Sequence, residues 1–319
     1  MQYVVGVDLG GTKMVSSVLD EQNNILSRNK KKTKGQEGNK AILDRLSDCI
    51  DDSISSAGLK RKDIKGVCIA VPGTIDRIHG ILRYTPNLGF ENYPIREKIF
   101  EKLGINVLLE NDVNAGTYGE FRNGAAKGFS DIVGVFPGTG IGSGIIIGGK
   151  LHIGHSGSAG EFGHMIIQLD GPVCGCGQYG CVEAIASRTA MTKDAVAAVA
   201  SGRAGKMYET AGTDFKNYKS SVFLEGYKKG VPEFINIIDR AARNIGIAMA
   251  NVVNFLSPEV FVLGGGLVEK LGKPFLDSID ASMRHHAMDY MVSDVKVKEA
   301  KLGDDAVLYG CAYLVREGL

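Results

Sequence analysis

Tryptophan is absent from this chain of 319 residues and proline contributes only 8, so its 43 glycines carry most of the turn chemistry. Those glycines gather at particular turns and not in low-complexity tracts. An excess of either charge is also missing. The 37 Lys and Arg residues against 36 Asp and Glu leave a formal net charge of +1. That balance gives no reason to expect nucleic acid or an anionic membrane surface, and a small molecule is the expected partner. The opening MQYVVGVDLGGTK has no basic leader and meets Asp8 after a short apolar run. It is read as neither a signal peptide nor a spanning helix, and a cytoplasmic protein is expected. No disulfide framework is called for. Of 6 cysteines, three cluster, while Cys49, Cys68 and Cys311 stand apart in mixed or apolar contexts and read as buried small hydrophobes of a reducing compartment. Two phosphate-loop signatures are lacking as well. There is no GxxxxGK[ST], and GTGIGSG at 138 to 144 is followed by IIIGG, which reads as strand where a dinucleotide fold needs a helix.

What is present divides into two halves that begin alike. YVVGVDL (3 to 9), a Gly10-Gly11 turn and KMVSSVLD read as a hairpin, with a third strand over 24 to 32 whose basic end reads as a solvated edge. Apolar residues from Ala41 to Ile54 at helical spacing predict a helix over 39 to 57, stopped by Gly58. IKGVCIAVPG (64 to 73) is a buried strand, and its Pro72-Gly73 end marks a turn where such sheets meet ligands. A helix over 94 to 103 and a strand over 105 to 109 follow. At 131 the pattern restarts: DIVGVFPGTGIGSGIIIGGKL echoes the opening, which indicates an internal repeat. EFINIIDRAARNIGIAMANVVNFL (233 to 256) reads as a long amphipathic helix, EVFVLGGGL (259 to 267) as a buried strand running into a glycine turn, and the GDDA stretch as the start of an Asp-capped terminal helix. The Tyr208 to Tyr227 stretch reads as an insertion or helix linker, and His285-His286 as surface.

The densest chemistry lies in GEFGHMIIQLDGPVCGCGQYGCVE, residues 160 to 183. His164, Cys174, Cys176 and Cys181 supply the four ligands of a closed tetrahedral Zn²⁺ site, and a closed site is structural. The C-x-C spacing departs from the C-x-x-C of redox motifs. Glu161 and Glu183 flank the ligands, and a metal that fixed the loop would fix them too. Three turns, Gly10-Gly11-Thr12, Gly138-Thr139-Gly140 and Gly264-Gly265-Gly266, follow apolar strands. One such turn reads as a hairpin; three of them point to a nucleotide held by converging N–H groups, with Thr12 and Thr139 adding hydroxyls. Asp8, at the end of the first strand, is placed to hold Mg²⁺ through water. In Glu110-Asn111-Asp112-Val113-Asn114-Ala115, Asn111 or Asp112 caps the following helix, or Asp112 is a general base toward a hydroxyl that attacks phosphorus. Spacing alone does not separate the two.

DLGGTK (8 to 13), PNL (86 to 88), ENDVNA (110 to 115), GTGIGSG, GEFGH (160 to 164), CGCGQYGCVE (174 to 183), LGGG (263 to 266) and GDDA (303 to 306) together resemble the ROK family of sugar kinases and repressors. The cysteine motif with its upstream EFGH is the specific part of that match. The resemblance implies an α/β fold of two ribonuclease-H-like lobes, of the actin and hexokinase type, with an interlobe active-site cleft. The lobes are expected as 1 to 113 plus about 304 to 319, and 114 to 303 with the zinc loop. It implies ATP with Mg²⁺, a hexose substrate, a structural Zn²⁺, and a homodimer or homotetramer. Asp112 would be the base. Asn87, Asn111, Glu161, His164 and Glu183 would hold sugar hydroxyls, with Gly73 at the same site. Gly10, Gly11, Thr12, Lys13, Gly138, Thr139 and Gly140 would surround phosphates, and Gly264, Gly265 and Gly266 would lie near adenosine. Repressor members carry a DNA-binding module ahead of DLGGT. Here that strand starts at residue 3, which favours a kinase, with glucose as the first expected sugar. N-acetylglucosamine, N-acetylmannosamine, mannose and fructose are the alternatives, and an idle sugar sensor is the reading from another class.

Overall fold

The computed structural model describes residues 2–85 and 87–318. Pro86 of the PNL motif, Met1 and Leu319 lie outside those residues. The chain forms two compact units, Met1–Gly128 with Gly144–Ala159 and Lys301–Leu319, and Phe129–Ser143 with Gly160–Ala300. Among the described residues no helix is long and apolar enough to cross a membrane.

In the first unit β1 (Tyr3–Leu9), β2 (Lys13–Leu19), β3 (Ile25–Lys32) and β4 (Ile64–Val71) are followed by a small sheet, β5 (Thr74–Asp76), β6 (Ile81–Thr85) and β7 (Phe90–Tyr93), and then by β8 (Val107–Asn111). The main sheet runs β3-β2-β1-β4-β8. Its hairpin strands are antiparallel, while β1, β4 and β8 are parallel, so Asp8 pairs with Ala70 and Ala70 with Glu110 along one carboxyl edge. Central strands β1 and β4 read as near-continuous apolar runs because both faces are covered. Helix α1 (Asn39–Ser56) buries Ile42, Leu43, Leu46, Cys49, Ile50 and Ile54 as one stripe, at the three- and four-residue steps expected. Helices α2 (Ile95–Leu103) and α3 (Asp112–Asn123) flank β8. Two readings are corrected here. The β5-β6-β7 sheet was not anticipated, since its strands are three to five residues long and carry Arg83 and Glu91 where alternation would be sought. The strand expected over 105 to 109 lies two residues later, and takes Glu110 and Asn111 into its last turn of pleat.

The second sheet adds β9 (Ile132–Pro137), β10 (Ile141–Ile147), β11 (Lys150–Leu151), β12 (Val260–Leu263) and β13 (Lys296–Glu299) in the order β11-β10-β9-β12-β13. Counted within each five-stranded sheet, that is the same third-second-first-fourth-fifth order as the first, which bears out the internal repeat. Helices α4 (Val182–Ala186), α5 (Arg188–Ala200), α6 (Gly205–Ala211), α7 (Ser220–Lys228), α8 (Pro232–Leu256), α9 (Gly265–Leu271), α10 (Lys273–His286) and α11 (Asp289–Val292) build the rest of the second unit. Helix α8 starts on Pro232, whose missing N–H costs nothing there, and ends at Ser257 in the left-handed region. The Tyr208 to Tyr227 stretch is not a bare linker: Tyr218 and Phe223 are fully buried, and Phe223 meets Phe234 of α8 edge to face at 5.6 Å between centroids. Nor do Gly264 to Gly266 form an open turn, because α9 begins at Gly265.

The chain then returns to the first unit as α12 (Ala306–Glu317), which packs on α3 and β1. A short 3-10 turn, Gly303–Asp305, precedes it, and the expected Asp cap does not form. Asp305 pairs with Arg28 instead. Cys49, Cys68 and Cys311 are buried thiols, and His285 and His286 are exposed, as read from sequence.

Candidate functional site

Two groups of polar side chains stand out, one in each unit. In the first, the Gly10-Gly11 turn closes through Gly10 N–H donating to the Lys13 carbonyl at 3.0 Å, and Thr33 braces it with an Oγ1 bond to the Gly10 carbonyl at 2.6 Å. Thr12 is left exposed and Lys13 Nζ reaches Asp304 at 3.1 Å. Asn87 is exposed, with its Cβ stacked against Gly11. Asp8 closes β1, and its carboxyl is pushed up to about 6, first by burial and then by the charge of Asp112, against the pull of Lys13.

Geometry assigns the cap at the start of α3. Asn111 takes the cap: its Oδ1 accepts from Val113 N–H at 2.9 Å and Asn114 N–H at 3.1 Å. Its amide also points Nδ2 at the Gly73 carbonyl, 3.4 Å away. Asp112 therefore has no capping duty beyond a 3.0 Å bond from Val113 N–H to Oδ1, and burial holds its carboxyl above the ordinary aspartate range. Sequence reasoning missed what stands behind it. Glu110 is fully buried, accepts from Asn111 N–H and from Asn114 Nδ2, and meets the Arg77 guanidinium at 2.6 Å. The motif drew attention to Glu110 only as a strand end. Its partner Arg77 lies in a hairpin that no periodicity announced.

In the second unit, the 3-10 turn Phe162–His164 and the loop to Cys181 bring His164, Cys174, Cys176 and Cys181 together, with one ligand atom of each within 4.8 Å of the others. Backbone bridges Ile166 to Cys181 and Val173 to Tyr179 fold the loop back on itself. Cys174 Sγ lies 3.5 Å from His164 Nδ1, and Cys176 Sγ 3.8 Å from Cys181 Sγ. Two sulfurs on one tetrahedral Zn²⁺ are separated by roughly 3.8 Å at the usual bond length. The donor set and its spacing thus fit that ion. With Nδ1 facing the cluster, His164 Nε2 is turned to Glu161, 3.9 Å from its carboxylate.

Glu183, in the first turn of α4, accepts from Ile141 N–H at 2.8 Å and packs so closely on Gly140 that a Cβ there would overlap its carboxylate. It thereby ties the Gly138-Thr139-Gly140 turn to the zinc loop. Two further residues grip this turn and were not anticipated, Arg188 and Thr189 at the start of α5. The run Ser-Arg-Thr just past the cysteine motif was the available signal. Gly264, buried at the end of β12, donates to Val135 O at 3.1 Å. His152 and His155 stand outside both groups, in the segment after β11.

Comparison with known proteins accords with this construction. A glucokinase from Streptomyces coelicolor is 33% identical over 322 residues, spanning 99% of this chain and 98% of that protein. A ROK hexokinase from Thermus thermophilus superposes with a TM-score of 0.84 at 30% identity over all of both chains. A ROK family glucokinase from Streptomyces griseus, solved with glucose and AMPPNP, gives 0.82 at 32% identity over 99% of this chain and all of that one. The duplicated sheet and these superpositions define an α/β protein of the actin and hexokinase type, built from two ribonuclease-H-like lobes. The model of the ROK family matches residues 4–318, and the chain belongs to that family.

Proposed function

We propose that this chain, a sugar kinase of the ROK family, transfers the γ-phosphoryl group of ATP to the 6-hydroxyl of a hexose, with glucose as the preferred acceptor. The observation that carries the chemistry is the division of labour at α3: Asn111 caps the helix, and a half-buried Asp112 with a raised pKa is left to take a proton. Asp112 removes the hydroxyl proton as the sugar oxygen bonds to phosphorus, the bond from phosphorus to the bridging oxygen breaks, and ADP leaves with that electron pair. Glucose is put first because glucokinases from Streptomyces coelicolor and Thermotoga maritima are 33% and 30% identical to this chain.

Glu161, His164 and Glu183 are read as holders of sugar hydroxyls. Carboxylates accept from adjacent hydroxyls, and sites built this way reject analogues that lack one. Asn87, Asn111 and Gly73 join that reading, with the Asn111 acceptor already spent on the cap. Gly10, Gly11, Thr12, Lys13 and the Gly138-Thr139-Gly140 turn are read as phosphate contacts, and Gly264 to Gly266 as the adenosine side. Zn²⁺ would be held by His164, Cys174, Cys176 and Cys181 and would fix the loop that carries Glu161. Asp8 suits a hydrated Mg²⁺, since a carboxyl raised by burial and by a second carboxylate gains from a nearby cation. When bound, Mg²⁺ supplies neutralisation of phosphate charge. The test is Asp112→Asn, which keeps the shape and removes the base. Turnover should fall roughly 10²- to 10⁴-fold with hexose binding retained. Near-normal turnover would remove Asp112 from the role.

A further inference from the structure

The Gly138-Thr139-Gly140 turn carries a cation, Arg188, that forms no ion pair with a carboxylate among the described residues. Arg188 opens α5, whose cap is made by Ser187 Oγ accepting from Ala190 N–H at 3.2 Å. Four bonds join residues 188 and 189 to the turn, one of them from Thr189 N–H to the Thr139 carbonyl at 3.4 Å. Arg188 N–H donates to the Gly138 carbonyl at 2.9 Å, Arg188 Nη2 to Thr139 Oγ1 at 2.6 Å, and Thr189 Oγ1 to the Thr139 carbonyl at 2.7 Å. Most other arginines here, among them Arg28, Arg45, Arg61, Arg77, Arg83 and Arg122, meet a carboxylate. Arg188 has no such partner among the described residues; Glu183, the acid on the same turn, accepts from Ile141 N–H through Oε2 and forms no ion pair with Arg188. A guanidinium has five donors in a rigid fork. Thr139 uses one of them, which orients the fork and leaves the rest of it over the turn. The Thr139 and Gly140 N–H groups likewise have no protein acceptor among the described residues.

We propose that Arg188 is a phosphate-binding residue, which closes its fork on an oligophosphate seated on the Gly138-Thr139-Gly140 turn. The geometry is that of an oriented, unpaired guanidinium beside backbone donors, and phosphate oxygens are the bidentate partner such a group recognises best. Thr139 then acts as the strut that aims Arg188, and Thr189 holds the strut's backbone. The inference rests on the kinase reading for the identity of the oligophosphate, and names ATP through its phosphate chain only. It adds to that reading a cation that the glycine and threonine signatures do not contain.

Calorimetric titration of the full chain with ADP and with inorganic tripolyphosphate, sugar absent, reads the contact directly. Arg188→Gln should weaken both ligands roughly ten-fold or more, as expected for loss of a charged hydrogen-bonded contact. It should also raise KM for ATP while leaving KM for hexose unchanged. Arg188→Lys keeps the charge and loses the fork, and should fall between. Wild-type affinity of Arg188→Gln for tripolyphosphate would overturn the assignment and leave Arg188 as a clip for Thr139. Should Arg188→Gln melt early, Arg188→Lys carries the same test, with unchanged tripolyphosphate affinity as the contrary result. Failure of the kinase reading looks different: the wild-type chain would release no ADP with any hexose, whatever Arg188 does to tripolyphosphate.

Discussion

Asn111 and Asp112 are neighbours of similar shape, and the fold gives them different work. The motif ENDVNA contained both readings, and only the hydrogen bonds from Val113 and Asn114 to Asn111 separate them. A half-buried side chain relieved of capping, partly desolvated near Asp8, stays protonated to higher pH than an aspartate in water. The sign follows: a base must be ionised, so activity is present above the raised pKa and is lost as pH falls through it. The acid limb of a pH profile of kcat should therefore lie above the ordinary aspartate value of 3.8. A limb at or below that value would show that neither carboxyl is perturbed in the working enzyme. At this scale the clustering of His164, Cys174, Cys176 and Cys181 was legible, because four such donors among glycines have few other uses. Arg77, Arg188 and Thr189 were not, since each acts through a partner distant in sequence or through a backbone carbonyl that no pattern marks.

Elements with long periods announced themselves, and those with short ones did not. Helices α1 and α8 and strands β1 and β4 lie within two residues of their expected spans at nearly every end, while the β5-β6-β7 sheet was silent. The closest helix contact in the first unit, α3 against α12, was also hidden in sequence. Gly119 faces the backbone of Ala306, and Gly310 that of Ala115, with no room for a Cβ at either. Gly310→Ala should force the helices apart at a cost of about 1–3 kcal/mol, as overpacking of a well-filled contact does. The obstacle is backbone, which cannot rotate away. A clear fall in the thermal midpoint is expected, and an unchanged melt would mean the two helices slide freely. The zinc loop makes a second prediction of this kind. Its four cluster residues come from separate points of one loop, Cys174 and Cys181 buried and Cys176 exposed, so a bound metal would contribute folding energy locally by joining them. Chelation, followed by zinc analysis and a melt, should remove one equivalent of zinc, lower the midpoint of the second unit and raise KM for hexose more than it lowers kcat. If stripping left both the melt and the KM in place, the ion would have no structural duty here.

Over the whole molecule, the repeat read from DIVGVFPGTGIGSG and YVVGVDLGGTK turned out to be a repeat of sheet order. That duplication, and the family match over residues 4–318, were the most legible features of all, because they rest on many residues at once. Sugar identity was the least legible. The carboxylates Glu161 and Glu183 are suited to hydroxyls in general, and discrimination among hexoses depends on the shape around one substituent. The account accordingly stands most directly on one measurement: ADP release by the purified wild-type chain with ATP, Mg²⁺ and, in turn, glucose, N-acetylglucosamine, N-acetylmannosamine, mannose and fructose. The highest kcat/KM is predicted for glucose, whereas no sugar-stimulated ADP release from any of the five would contradict the account.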